Sequence, residues 1–126
     1  MATPARRPFS ITGADGGPLR GDIRSAGGPR PAVVICHGFK GFRDWGFFPV
    51  TADRLAHAGF AAVSFNFSGS GVGEPGDTFN EPVRFQHATY TNGLRDLAAV
   101  LAVLRSGALG VQPSRLRTCQ PRSVRW

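Results

Sequence analysis

The chain has 126 residues, of which 41% are hydrophobic and 18% are charged, values typical of a single soluble globular domain. Its net charge is +7, but the charge is unevenly distributed. All eight acidic residues precede Gly110, whereas residues 111–126 contain four arginines and no acid. The body is therefore nearly neutral and the tail is basic. Two cysteines exclude a disulfide framework. The longest apolar run, residues 97–104, is too short to span a bilayer. Residues 1–9 are not followed by an apolar stretch long enough for a signal peptide, so none is expected. We therefore expect a reduced, cytoplasmic protein without a membrane segment.

The first third of the chain predicts a hairpin followed by a buried strand. Residues 9–12 and 19–24 flank a glycine-rich segment, residues 13–18, as the strands of a hairpin flank their turn. After a Gly/Pro connection, the run Ala32–Cys36 is continuously apolar, as in a buried parallel strand. Cys36 is expected to be a small, buried side chain within that strand.

Helices and strands alternate in the rest of the body. Residues 49–58 predict a short helix, residues 61–67 a strand, residues 68–87 a long loop and residues 91–106 a second helix. Glycines are expected to end both helices, Gly59 the first and Gly107 the second. The side chains expected to point inward are Val50, Leu55 and Ala58 in the first helix, and Leu94, Leu97, Leu101 and Leu104 in the second. The order predicts an α/β fold with parallel strands and crossover helices.

The junction after the first parallel strand is the strongest functional signal. The strand opens into His37-Gly38-Phe39-Lys40-Gly41, a glycine-bearing turn at the carboxyl end of a sheet strand. Turns of this kind supply backbone N–H groups to an oxyanion in acyl-transfer enzymes.

Residues 9–113 resemble the N-terminal half of a bacterial α/β-hydrolase, in the branch of dienelactone hydrolases, cinnamoyl esterases and serine-peptidase-like proteins. The resemblance rests on the His37 to Gly41 turn, on Phe65-Asn66-Phe67 at the end of the next strand, and on Gly69-Ser70-Gly71-Val72-Gly73. It implies the N-terminal portion of an α/β-hydrolase fold with an incomplete sheet. Residues 1–110 would be a partial hydrolase domain, and residues 111–126 a divergent basic tail.

The resemblance also implies roles for the residues of the turn. The backbone N–H of Phe39 would be one oxyanion donor, and Gly38 would let the backbone approach the substrate without a Cβ. The other residues of the motif, His37, Lys40 and Gly41, would support the loop, with His37 ordering it by hydrogen bonding rather than reacting. The implied substrate is a small ester-like or peptide-like molecule. No cofactor or metal is implied.

No catalytic residue is identified in this chain, because it contains no Gly-x-Ser-x-Gly nucleophile elbow. Ser70 lies between glycines but in the wrong loop of the family pattern. The spacing Gly71-x-Gly73-x-x-Gly76 formally matches a dinucleotide fingerprint, but acids and a proline follow where a helix should begin. The two remaining histidines, His57 and His87, are interpreted as surface or packing residues. The family activity is serine-dependent hydrolysis of carboxylic ester, thioester or peptide-like bonds, and this chain is expected to be inactive alone.

The resemblance ends abruptly near residue 116. Residues 111–116 begin like the family's lead-in to the nucleophile strand, but residues 117–126 are polar, rich in arginine and interrupted by Pro121. One interpretation is a reading-frame error or gene truncation. The alternative is a non-catalytic remnant or small binding module whose native basic tail meets acidic partners; nucleic acid is the less favoured of these partners. Either way, the strand Ala32–Cys36 is expected at an uncovered edge of the sheet.

Overall fold

A computed structural model describes residues 4–74, 76 and 78–111 of the protein. The predicted tail beyond Val111 lies outside these described residues. Within the described residues, four strands, three α-helices and one 3-10 turn follow one another. Their bounds are β1 (Ala5–Thr12), β2 (Pro18–Ser25), β3 (Ala32–Cys36), α1 (Phe48–His57), β4 (Ala61–Phe65), the 3-10 turn (Ser68–Ser70), α2 (Pro82–Gln86) and α3 (Tyr90–Arg105).

The four strands form one mixed sheet in the order β1-β2-β4-β3. β1 and β2 are antiparallel and pair over their full lengths, from Ala5 opposite Ser25 to Thr12 opposite Pro18. β3 and β4 are parallel, with α1 between them in the chain, and β2 pairs antiparallel with β4. The predicted α/β fold class, with a hairpin followed by parallel strands and a crossover helix, is confirmed.

The two faces of the sheet bury different kinds of side chain. One face forms the apolar core, in which Phe65 and Val63 of β4 and Ile23 of β2 pack with Val100 and Leu104 of α3. Val111, the last described residue, is also buried in this core. Because successive strand residues point to opposite faces, Ala62 and Ser64 face the other way, toward the side of the sheet that α1 covers.

The packing of α1 corrects the predicted inward face. The buried residues are Ala52 and Ala56, whereas Val50 and Ala58 are exposed and Leu55 is half-buried. Ala52 and Ala56 are one turn apart on one stripe of the helix, and their small side chains let the helix lie close to the sheet. The predicted stop at Gly59 holds: its φ is 98°, and the N–H groups of Gly59 and Phe60 donate to carbonyls inside the helix, as in a Schellman motif.

The burial predicted for Cys36 is wrong. Its side chain is exposed, because β3 has a single neighbour, β4, among the described strands and so lies at the edge of the sheet. Part of the side chain is nevertheless shielded from solvent, and this partial burial raises the pKa of Cys36.

The segment between β4 and α3 is more structured than the predicted loop. β4 ends at Phe65, two residues earlier than predicted, and the segment then forms the 3-10 turn and α2. Thr89 caps α3, with its hydroxyl accepting a hydrogen bond from the N–H of Asn92 at 3.1 Å. The leucine stripe of α3 is only partly inward: Leu104 is buried, but Leu94 is 71% exposed.

Candidate active site

The turn after β3 is closed by its own backbone. The N–H of Gly41 donates to the carbonyl of Gly38 at 3.0 Å. Lys40 at the third position of the turn has a φ of 59°, a left-handed conformation that glycine and asparagine adopt more readily than lysine. A non-glycine residue held in this region marks a backbone shape that the surroundings impose.

Both ring nitrogens of His37 take part in hydrogen bonds. Nε2 accepts from the backbone N–H of Phe67 at 3.1 Å, and Nδ1 lies 2.9 Å from the carbonyl of Gly38. An imidazole that accepts at Nε2 and faces a carbonyl at Nδ1 is neutral, with its proton on Nδ1. Burial lowers the pKa of His37, while the hydrogen bond to Gly38 opposes that shift, so the ring stays neutral at pH 7.

Phe39, within this turn, has an available backbone N–H and an exposed ring. Among the residues that the structure describes, no acceptor pairs with its backbone N–H. Its ring is exposed and stacks on Phe85, with ring centroids 5.8 Å apart, and the Nζ of Lys40 lies 5.7 Å from the same ring. The predicted donor is therefore an N–H without an acceptor among the described residues, on a turn that His37 anchors through its hydrogen bonds.

A groove of about 750 Å³ lies at the carboxyl ends of β3 and β4. His37, Gly38, Phe39 and Lys40 line it from the turn, and α2 and α3 supply the opposite side. Most of the lining is apolar, including Phe67 and Leu97. Ligands of α/β folds bind in the crevice at the carboxyl ends of parallel strands, which is where this groove lies.

Neither serine in the groove has the environment of a nucleophile. Ser70 is buried in the 3-10 turn, and its hydroxyl accepts a hydrogen bond from the N–H of Val72 at 3.2 Å. The hydroxyl of Ser68 donates to Asp96. Within the described residues, neither hydroxyl hydrogen-bonds to a histidine ring, and both ring nitrogens of His37 are paired with backbone groups. His57 and His87 are exposed.

Asp96 is a buried residue that the sequence prediction missed. Its side chain is completely buried in α3, where Oδ1 accepts from the N–H of Ala14 at 2.7 Å. Oδ2 accepts from the N–H of Ser68 at 2.8 Å and from its hydroxyl at 2.7 Å. The available signal was one carboxylate on the same face of the helix as the apolar residues Val100 and Leu104. Its role is to join α3 to the hairpin turn and to the segment that follows β4.

The other charges around the groove are largely paired. Arg84 donates to both carboxylate oxygens of Asp15, at 2.7 and 2.9 Å, and also to Glu81 at 3.0 Å. The hydrogen bonds from Arg84 lower the pKa of Asp15. This pairing ties α2 to the hairpin turn, so that the far side of the groove is fixed to the same sheet as the turn.

Two further searches of the described residues bear on the kind of site. No cluster of three or more histidine, cysteine, aspartate or glutamate side chains is arranged to hold a metal ion among residues 4–74, 76 and 78–111. In the same residues, no helix combines the length and the apolar character needed to cross a membrane.

No protein-family model matches the chain, and neither does any curated protein sequence. Solved structures do match. Brefeldin A esterase, a bacterial homologue of human hormone-sensitive lipase, superposes with a TM-score of 0.64 at 20% identity, over 85% of this chain and 29% of the esterase. A cold-adapted esterase from an Arctic intertidal metagenomic library gives 0.62 at 22% identity, over 83% of this chain and 45% of that one.

A third similar structure, a protein assigned as a dienelactone hydrolase from Klebsiella pneumoniae, gives a TM-score of 0.58 at 18% identity. The match covers 88% of this chain and 48% of that protein. At these identities the likeness concerns the fold: the chain has the fold of the N-terminal part of an α/β-hydrolase. It spans less than half the length of each of these three structures.

Proposed function

We propose that residues 37–41 are the oxyanion-binding part of a serine-hydrolase active site that acts on a carboxylic ester, thioester or peptide-like bond. The observation that carries the proposal is the backbone N–H of Phe39, which has no acceptor among the described residues and lies on a tight turn at the carboxyl end of β3, beside an apolar groove. The esterase and hydrolase folds among the similar structures support the same chemistry.

The chemistry needs such a donor because negative charge develops on the carbonyl oxygen when a nucleophile attacks it. A fixed N–H stabilises that charge without reorganising, and losing one donor typically costs ~10²–10³ in rate. Gly38 has no neighbour within 4 Å of the position its Cβ would occupy, so a substrate can approach the backbone there. The neutral His37 supports the turn and takes no proton from a nucleophile.

The proposal assigns no nucleophile to the 126 residues, because they contain no Gly-x-Ser-x-Gly elbow. The chain by itself should therefore hydrolyse p-nitrophenyl acetate no faster than a heat-denatured sample, and a fluorophosphonate probe should not label it. Stoichiometric labelling of Ser70 or of another serine would refute this assignment and reveal a different kind of hydrolase.

The positive test uses the DNA that follows the codons of residues 116–118. If another reading frame encodes an apolar strand, an elbow, an acid and then a histidine, the longer chain built from that frame should hydrolyse short esters. Replacing the elbow serine by alanine should abolish the activity without reducing the yield of soluble protein. If no frame encodes an elbow, the hydrolase proposal fails, and the arginine-rich residues 115–125 become the feature to test, as the tail of a small binding module.

A further inference from the structure

Two hydrogen bonds tie the segment that carries the turn to the end of β4. At the start of the segment, His37 Nε2 accepts from the N–H of Phe67 at 3.1 Å. At its end, the N–H of Arg43 donates to Oδ1 of Asn66 at 2.7 Å. The two anchors on the sheet side, Asn66 and Phe67, are consecutive residues. Residues 37–43 therefore form a loop whose two ends are fixed to almost the same point.

Asn66 is itself rigidly placed. Asn66 is only 5% exposed, and its backbone N–H donates to the carbonyl of Arg20 at 2.9 Å. That bond extends the β2–β4 ladder by one step beyond Phe65. Asn66 thus belongs to the central part of the sheet and transmits its position to the loop through a short hydrogen bond.

The end of the loop is also held through a side chain. The guanidinium of Arg43 lies 3.2 Å from Oδ2 of Asp22, a buried carboxylate on β2. Arg6 contacts the same oxygen at 2.8 Å and bridges it to Asp44. The backbone at Arg43 is therefore held by the side chain of Asn66. The Arg43 side chain adds one ion pair with Asp22 on β2, although its Nε makes no hydrogen bond within the described residues.

We infer that Asn66 is a positioning residue: with His37 it clamps residues 37–43, and this clamp orients the backbone N–H of Phe39. The catalytic meaning of that orientation rests on the proposed function, whereas the clamp itself is a property of the fold. An oxyanion donor has to be held within a few tenths of an ångström of its working position, which a single anchor at one end of a seven-residue loop does not provide.

The wild-type chain gives the first test, by native-state hydrogen exchange of its amides. If the clamp opens as one unit, the N–H groups of Gly41, Arg43 and Phe67 should share one opening equilibrium, and the amides of β4 should be more strongly protected. A through-bond coupling between the Arg43 nitrogen and the Asn66 side-chain carbonyl carbon should also be detectable by NMR. Absence of this coupling, or unrelated opening equilibria for the three amides, would overturn the inference whether or not any variant folds.

The second test compares Asn66→Ala with Asn66→Asp. In Asn66→Ala, the amides of Gly41 and Phe67, which do not bond to Asn66, should exchange on the order of tenfold faster, while the amides of β4 keep their protection. Asn66→Asp keeps an acceptor oxygen and should restore slow exchange. Ser64→Ala is the matched control, since Ser64 is also buried, in β4, and its hydroxyl has no hydrogen-bond partner among the described residues.

Two results of the comparison would contradict the inference: unchanged exchange at Gly41 and Phe67 in Asn66→Ala, or equal acceleration throughout β4, which would make Asn66 an ordinary core residue. Exchange requires no catalysis, so a longer chain without esterase activity would refute the proposed function and leave the clamp intact. An active longer chain whose kcat is unaffected by Asn66→Ala would refute the positioning role alone.

Discussion

Replacing Asp96 should destabilise the fold more than replacing any surface carboxylate. The side chain is fully buried, and its two oxygens accept three hydrogen bonds at 2.7–2.8 Å from Ala14 and Ser68. These partners precede Asp96 in the chain by 82 and 28 residues. One carboxylate therefore holds the hairpin turn, the segment after β4 and α3 together.

The size of the loss in unfolding free energy depends on how well each of the three hydrogen-bond donors can find another acceptor. In Asp96→Ala, the buried N–H of Ser68 loses its partner, which costs about 1–3 kcal/mol. The N–H of Ala14 is only partly buried, and the Ser68 hydroxyl can rotate, so each adds about 0.5–1 kcal/mol. We expect a loss of about 3 kcal/mol in the free energy of unfolding. Asp96→Asn keeps one acceptor oxygen but turns its NH₂ group toward a donor, so about 2 kcal/mol should be lost.

The assay is urea unfolding followed by circular dichroism, with the m-value compared between variants to confirm that only stability has changed. Asp53→Asn is the control, because that carboxylate is 41% exposed and its ion pair with Arg24 spans 3.4 Å; it should cost less than about 1 kcal/mol. If Asp96→Asn unfolds within about 0.5 kcal/mol of the wild type, the buried hydrogen bonds do not stabilise the fold as argued.

Three further predictions concern the strands and the turn. Gly21→Ala should lower the free energy of unfolding by about 3 kcal/mol, because the new Cβ would lie 2.5 Å from the carbonyl oxygen of Ser64. Gly38→Ala is the control and should change it by less than about 0.5 kcal/mol, since no atom lies within 4 Å of its Cβ position. Equal effects of the two variants in urea unfolding would contradict the packing described for β2. The pKa of His37 is lowered in the folded state from its usual 6.5, so its contribution to stability should be complete above pH 6.5 and be lost as the pH falls through the lower folded-state pKa. An NMR titration of the ring, together with unfolding of His37→Gln at several pH values, measures this contribution. A ring that titrates above pH 6.5 would show a pKa shift of the opposite sign and contradict the prediction. In a Cys119→Ser variant, Cys36 of the folded protein should react with iodoacetamide because its side chain is exposed. The reaction rate should rise at a higher pH than for an unfolded thiol, because partial burial raises the pKa of Cys36. Complete protection from the reagent would mean that the edge of β3 is covered.

The elements of the body could be predicted because each is governed by local rules. The apolar run of Ala32–Cys36 and the helical spacing of apolar residues near α3 identify the type of each element. Gly59 and Gly107 end their helices with φ values of 98° and 79°, conformations that glycine adopts at no steric cost. The order of these elements then predicts the parallel pairing of β3 and β4, which the structure confirms.

The errors arise where a contact distant in sequence decides the outcome. The inward face of α1 depends on how closely the helix approaches the sheet, and close approach favours Ala52 and Ala56 over larger residues. Cys36 is exposed at the edge strand β3 of the described sheet; the resemblance predicts that edge, whereas the apolar run of β3 taken by itself predicts burial. α2 has only five residues and no buried side chain, so no apolar periodicity predicts it.

The candidate site likewise has a part that the local sequence predicts and a part that depends on contacts distant in sequence. The motif predicts where the turn lies, but the clamp depends on the side chain of Asn66, which approaches Arg43 only after β4 joins the sheet beside β3. The available signal was a single amide at the end of a strand that is otherwise buried. A polar residue at that position, where the strand leaves the sheet, carries no information about its partner until the neighbouring loop is placed.

The electrostatics of the groove follow from how its charged groups are paired. Of the carboxylates that line it, Asp15 is paired with Arg84, and Asp96 is satisfied by three donors. His37 is neutral, because both of its nitrogens are engaged and burial lowers its pKa. Lys40 is the cation of the turn, and no carboxylate within the described residues pairs with it. Under the proposed function, a negative charge developing beside Phe39 would therefore meet an N–H donor and one ammonium group, and no unpaired carboxylate of the described residues lines the groove to oppose it.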